Sequence, residues 1–254
     1  MDSTAGKPKT WSLFHCRACR RTQESYARLL RPHSRMGGHF LEIGPDIGLF
    51  ASSFAKSGSF HHFWLYEPNR DVHQSLAGNF RGLSFTINSG IFHASDMPAQ
   101  SVSTAVMIHV LDHLLQPKEF LHEVRASLEP GGVILIVTHD CASGLARLLG
   151  RRWPPYTLQH PQLFSRRSLA ALLQASGFDV VESVKTTNYF NACCFDRIRL
   201  AGAPHPGSRV TAARTKARQY RHDRAQIHMS NQQFSEGELA LGRGGEARRL
   251  VAHP

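Results

Sequence analysis

Two carboxylates and two glycines fall close together in Glu42-Ile43-Gly44-Pro45-Asp46-Ile47-Gly48, between an apolar run ending at Leu41 and an amphipathic stretch from Leu49. Gly44 tolerates positive φ and, with no Cβ, lets a ligand approach the main chain where free helix N–H groups point outward. A glycine-bearing turn of this kind between a strand and a helix cradles an adenosine-type cofactor. The spacing discriminates between two such cofactors. A dinucleotide turn, G-x-G-x-x-G counted from Gly44, needs glycines at 46 and 49, where the chain has Asp46 and Leu49, so a nicotinamide dehydrogenase ranks last. The alternative, acid-x-Gly-x-Gly-x-Gly, is met by Glu42, Gly44 and Gly48, with Asp46 at the middle glycine.

Further chemistry-bearing residues follow in order along the chain. His61-His62-Phe63-Trp64-Leu65-Tyr66 reads as a strand ending at Glu67, 23 residues after Gly44, where a carboxylate can accept hydrogen bonds from ribose hydroxyls. Ser103 to Ile108 reads as a buried strand and runs into His109-Val110-Leu111-Asp112-His113. Pro117 opens a helix whose Phe120, Leu121, Val124 and Leu128 share one face. Leu128-Glu129-Pro130-Gly131-Gly132 should stop that helix, and Val133 to Val137 is a central-strand run. Ser165 is placed to cap a helix carrying Leu169, Leu172 and Leu173, after which Phe178 to Lys185 returns to strand.

This ordered set resembles the class I S-adenosylmethionine-dependent methyltransferases, over roughly residues 38 to 190. The acid-glycine turn matches the family's first motif. The segment from Val110 to Val137 looks like its more specific "valine-leucine-acid-histidine, helix, leucine-x-proline-glycine-glycine, strand" signature. The resemblance implies an α/β, Rossmann-like, doubly wound, mostly parallel sheet, with S-adenosylmethionine as cofactor. It implies cofactor contacts from Glu42, Gly44, Asp46, Gly48, Glu67, Asn88, Ser89 and His109. Gly44 and Gly48 would admit the methionyl portion, Glu42 would orient the turn or the amino group, and Asn88 and Ser89 would meet the adenine. Relatives often carry an acid at that adenine position and an aspartate where Ser103 stands. Phe50, Trp64 and Tyr66 are candidates for core packing or for flanking the sulfonium.

Composition bounds the rest. The 254 residues suit one α/β domain with appendages: a basic, partly helical segment at 1–37, a methyltransferase domain at 38–200, and a basic, low-order tail at 201–254. The net charge of +11 sits in the ends, with 8 Lys/Arg against 2 acids in the first segment and 9 against 4 in the last. A neutral middle argues against a nucleic-acid partner. A seventh strand is doubtful, with Phe195 to Leu200 its one candidate. No run of eighteen apolar residues exists and the first ten residues are polar, so we expect neither a membrane span nor a signal peptide, and a cytoplasmic protein. Cys16 and Cys19 look like half of a zinc ribbon that some relatives carry; lacking the other half, no metal is expected.

The resemblance implies in-line transfer of a methyl group to a small-molecule acceptor, for O- or C-methylation, which needs positioning and desolvation. A general base would help, and His113, then His160, are the candidates at the carboxyl edge of the sheet. The loop from Asp140 to His160, with Trp153-Pro154-Pro155-Tyr156, should shape the acceptor pocket. A cofactor- or partner-binding module without turnover is the alternative.

Overall fold

The computed structural model describes residues 17–56, 58–187 and 236–244. The chain divides into two units, Met1–Thr22 with Thr187–Ser235, and Gln23–Thr186 with Glu236–Pro254. Of the first, the described residues are the opening of helix α1 (Arg17–Leu30) and Thr187. The second holds the sheet and every site residue discussed below.

Seven strands form one sheet: β1 (His39–Ile43), β2 (His62–Tyr66), β3 (Phe85–Asn88), β4 (Val102–Ile108), β5 (Leu128–His139), β6 (Phe178–Thr187) and β7 (Glu236–Gly244), in the order β3-β2-β1-β4-β5-β7-β6. The first five are parallel, and β7 runs antiparallel to β5. The order reverses between β1 and β4, and the turns after both strands open at the same edge, where ligands bind in open α/β sheets. Among the described residues no helix is long and apolar enough to cross a membrane.

Both faces of the sheet are covered, as continuous apolar runs such as Val133-Ile134-Leu135-Ile136-Val137 require. One face is aromatic: Phe40, Phe63 and Phe80 pack with Phe50 and Phe54 of α2 (Leu49–Ala55), Leu76 of α3 (His73–Asn79), and Tyr26 and Leu30 of α1. The other is aliphatic: Leu41, Ala105, Met107, Ile134 and Ile136 meet Leu121 and Val124 of α4 (Pro117–Ser127) and Leu169 and Leu173 of α6 (Arg166–Ala175). Pro117 takes the first turn of α4 and Ser165 caps α6, its hydroxyl accepting from the Ser168 N–H, as expected. A short helix, α5 (Gly144–Leu149), opens the loop between β5 and α6.

Two expectations are corrected here. The seventh strand exists, at Glu236–Gly244, inside the stretch read as a low-order tail; the candidate at Phe195 to Leu200 lies outside the described residues. Three glycines in nine residues give it little β-propensity of its own. Its partner β5 supplies the template, from Val133↔Arg243 to His139↔Gly237. The second correction concerns Leu128 to Gly132. The segment does stop α4, whose last residue is Ser127, but it does so as the first part of β5: Leu128, read as part of the helix's apolar face, pairs with Val102, and the register slips before Thr104↔Val133.

Candidate active site

The site begins with how β1 hands over to α2. Gly44 has φ 70° and Gly48 has φ 74°, and Asp46 between them also takes the left-handed conformation at φ 53°. The missing Cβ atoms serve different neighbours. A Cβ on Gly44 would stand 2.6 Å from Val110 Cγ2, at the mouth of a cleft. One on Gly48 would stand 2.6 Å from Leu76 Cδ1 and 2.8 Å from Phe80 Cε2, so that glycine lets α2 and α3 pack and faces no ligand space.

Two acids fix this turn from beneath. Glu42, 2% exposed, accepts from the Ala51 N–H of α2 at 3.2 Å; burial pushes its carboxyl up to about 8. Glu67 accepts from the Asp46 N–H and the Asn69 N–H, both at 2.8 Å, one on each carboxylate oxygen. Each oxygen keeps a second acceptor direction. Burial, then the charge of Glu67, lifts Asp46 to about 6.

The cleft, of about 350 Å³, lies across the sheet reversal and is lined by Gly44, Glu67, Ile91, Phe92, His109 and His113 among others. That volume is within the range of sites for cofactor-sized molecules. Of the residues expected to meet the cofactor, Gly44, Glu67 and His109 line it, while Glu42, Asp46, Gly48, Asn88 and Ser89 do not. The Asn88 carbonyl accepts from the Glu67 N–H at 2.8 Å, and the Ser89 hydroxyl accepts from Arg70 at 3.2 Å. Their place in the wall falls to Gly90, Ile91 and Phe92, an apolar run directly after β3 that the sequence displays plainly. Phe50 is stacked on Phe54 in the core, ring centroids 5.6 Å apart, away from the cleft; Tyr66 lines it, its hydroxyl donating to Asp96 at 3.2 Å.

Opposite the acids, four imidazoles gather at the ends of β4 and β5. Ring centroids are 4.5 Å apart for His109 and His139, 5.0 Å for His139 and His160, and 4.6 Å for His113 and His160. His113 Nδ1 donates to the Gln159 carbonyl at 2.8 Å and His160 Nδ1 to the Pro155 carbonyl at 2.8 Å. Each thereby presents Nε2 as a proton acceptor. His139 Nδ1 lies 2.6 Å from Asp112 Oδ2, which also accepts the His139 N–H at 3.1 Å. His109 takes φ 52°, and burial with the nearby His139 holds it down to about 4, a neutral imidazole. Trp153 packs edge-on to His139 at 6.2 Å, which sets the loop from Asp140 to His160 beside this edge, but none of that loop's residues is among those lining the cleft. The Asp112–His139 pair has no signal in spacing, because Asp112 lies in the turn after β4 and His139 at the end of β5. Cys16 lies outside the described residues.

A parallel sheet reversing between β1 and β4, an antiparallel β7 between β5 and β6, and an acid-glycine turn facing an acid at the end of β2 define a class of cofactor-dependent enzyme. The methyltransferase domain family model matches residues 14–183, and the chain belongs to that family. It is an S-adenosylmethionine-dependent methyltransferase of the class I fold. Solved structures agree on the fold. A candidate methyltransferase of Bacillus halodurans is 17% identical with TM-score 0.60, the match covering 88% of this chain and all (100%) of that one. The [4+2]-cyclase SpnF is also 17% identical with TM-score 0.60, over 90% of this chain and 82% of that one. The Burkholderia thailandensis 1,6-didemethyltoxoflavin-N1-methyltransferase, solved with 1,6-didemethyltoxoflavin and S-adenosylhomocysteine, is 15% identical with TM-score 0.57, over 89% and 80%. Comparison with curated protein sequences finds no match.

Proposed function

We propose that this chain transfers the methyl group of S-adenosylmethionine to a small-molecule acceptor at oxygen or carbon, with the acceptor held against the histidine edge. The observation that carries this reading is that one cleft is shared by Gly44 and Glu67 on one side and His109 and His113 on the other. The residues present fit the cofactor. Gly44 leaves the main chain open, Glu67 has acceptor capacity to spare for ribose hydroxyls, and Ile91 and Phe92 offer an apolar wall to a planar base. Asn88, Ser89, Asp46 and Glu42 act on the cofactor through the shape of the turn and of the β2 and β3 ends.

The bound sulfonium supplies an electrophilic methyl carbon; the protein's part is to hold the acceptor in line with it and to exclude water. His113 removes the acceptor's proton at Nε2, with its ring fixed by the Gln159 carbonyl, and His160 stands behind it as the next acceptor. Val110, Leu114 and Phe120 give that side of the cleft an apolar lining suited to a planar or apolar acceptor. The same neighbour that carries a small heterocycle, the Burkholderia enzyme, supports a small acceptor here.

The test is calorimetric titration with S-adenosylmethionine and S-adenosylhomocysteine, followed by methyl-label transfer to a panel of phenols, enols and heterocycles. Micromolar binding and label in a small product are expected. Folded protein that binds neither cofactor form, or that labels none of the panel while labelling a macromolecule, would overturn the proposal.

A further inference from the structure

Not every polar atom at the histidine edge is accounted for by proton transfer. Asp112, fully buried at 0% exposure, uses Oδ2 for His139, but its Oδ1 has no hydrogen-bond partner. His109 Nδ1 is likewise buried and without a partner. A buried polar atom left unpaired loses its hydration with nothing in return, and here two such atoms sit in one cluster. Both belong to the same three residues: His109 at the end of β4, Asp112 in the turn after it and His139 at the end of β5 offer one ligand atom each, all within 4.8 Å of one another.

We infer that His109, Asp112 and His139 form a binding site for one divalent first-row transition-metal ion beside the methyl-acceptor end of the cleft. Two imidazole nitrogens and one carboxylate oxygen suit zinc, iron(II), cobalt(II) or nickel(II), whereas magnesium and calcium favour oxygen ligands throughout. Metal–ligand bonds of roughly 2.0–2.2 Å separate ligand atoms by a little over 3 Å, so small side-chain rotations convert the present spacing into a coordination set. The ion gives Asp112 and His109 the partners they lack. Three protein ligands leave coordination positions open, as in catalytic rather than structural sites. Because His109 is also a wall of the cleft, the open positions face the space assigned to the acceptor, and water or an anionic acceptor oxygen would fill them. His113 and His160, tied through Nδ1 to backbone carbonyls, stay outside the set and remain available as bases.

Sheet register assembles the three. Ile108 pairs with Val137 across β4 and β5, and the His109 N–H donates to the Val137 carbonyl at 2.8 Å, which brings the two strand ends level. The left-handed backbone at His109 turns the chain immediately after the strand, and the three-residue turn Leu111–His113 carries Asp112 beneath His139. A strained non-glycine conformation held at a strand end is the kind of feature that persists at functional sites.

The site's place beside the acceptor space rests on the methyl-transfer reading, but the binding of the ion does not, and its test needs no turnover. Full-length protein is stripped with chelator and titrated with cobalt(II), followed by visible absorption and by metal analysis after gel filtration. The expected result is one equivalent bound at micromolar affinity or tighter, with visible bands lacking strong sulfur charge transfer. Binding should weaken at least 100-fold in Asp112→Asn and in His109→Gln, each checked for folding by circular dichroism, and persist in His113→Ala and in Cys16→Ser/Cys19→Ser. Wild-type protein that retains no stoichiometric ion would overturn the inference. So would an ion lost with the cysteines, or one held equally by every variant. In those cases Asp112 and His139 are only a hydrogen-bonded pair.

Discussion

At the carboxyl ends of β1 and β2 the titratable side chains are acids, and Glu42 and Glu67 are answered by backbone N–H groups, of α2 for the first and of the two turns for the second. At the ends of β4 and β5 they are imidazoles, answered by backbone carbonyls and by one buried carboxylate. The first region uses side chains to set main-chain shape, so its ligand contacts belong to a preformed cradle. The second uses main chain to set side-chain direction, and two of its imidazoles, His109 and His113, stand in the wall of the cleft. A preformed cradle suits the adenosyl frame, which is the same before and after methyl transfer; imidazole side chains suit the partner whose protonation changes.

The sharpest separation of the two regions is expected from paired substitutions. His113→Ala should lower the turnover of a labelled acceptor by about 10²-fold or more while leaving the S-adenosylmethionine dissociation constant within about twofold. Glu67→Ala should do the reverse, weakening cofactor binding by about 10- to 100-fold through lost charge-assisted hydrogen bonds and a slackened turn. Stopped-turnover assays beside calorimetry read both. If each variant loses both quantities equally, the two regions are one unit and the comparison fails.

A smaller effect should distinguish the two glycines within the cradle. Gly48→Ala forces a Cβ against Leu76 and Phe80 at positive φ and should cost about 1–3 kcal/mol, seen as a melting temperature several degrees lower. Gly44→Ala meets only the tip of Val110 and should instead weaken cofactor binding more than stability.

The last predicted effect is a pH slope. The Glu42 carboxyl holds its proton to about pH 8 in the fold but releases it near 4.5 when unfolded. The folded state therefore binds more protons over that window, and its stability falls as pH rises through it. Thermal melts from pH 6.5 to 8.5 should decline in wild type and flatten in Glu42→Gln. A slope that survives the substitution would assign it elsewhere.

The acid cradle was legible in sequence because its parts lie in one short segment plus Glu67, and local spacing carries local geometry. Even there, spacing identified Gly48 without revealing that its absent side chain makes room for α3. The histidine edge was legible only as scattered candidates. His113 and His160 stand out along the chain, but their neighbour relation to His139, and the burial of Asp112 beneath it, arise from the register of two parallel strands. The strand at Glu236–Gly244 was invisible for a different reason. Leu239-Ala240-Leu241 between glycines carries too weak a local pattern, and its identity as a strand comes from the edge of β5 beside it.

That late strand has a consequence for synthesis. β6 meets the rest of the sheet through β7, and β7 begins only at Glu236. While a ribosome is still short of that point, the apolar run Val133 to Val137 of β5 presents an unpaired edge, and β6 has no partner in the sheet to align with. Any product cut or terminated before Glu236 keeps the whole cofactor turn and all four histidines, yet exposes that edge to other chains. Quality control in the cell would thus act on fragments that contain every functional residue and lack only the closing strand.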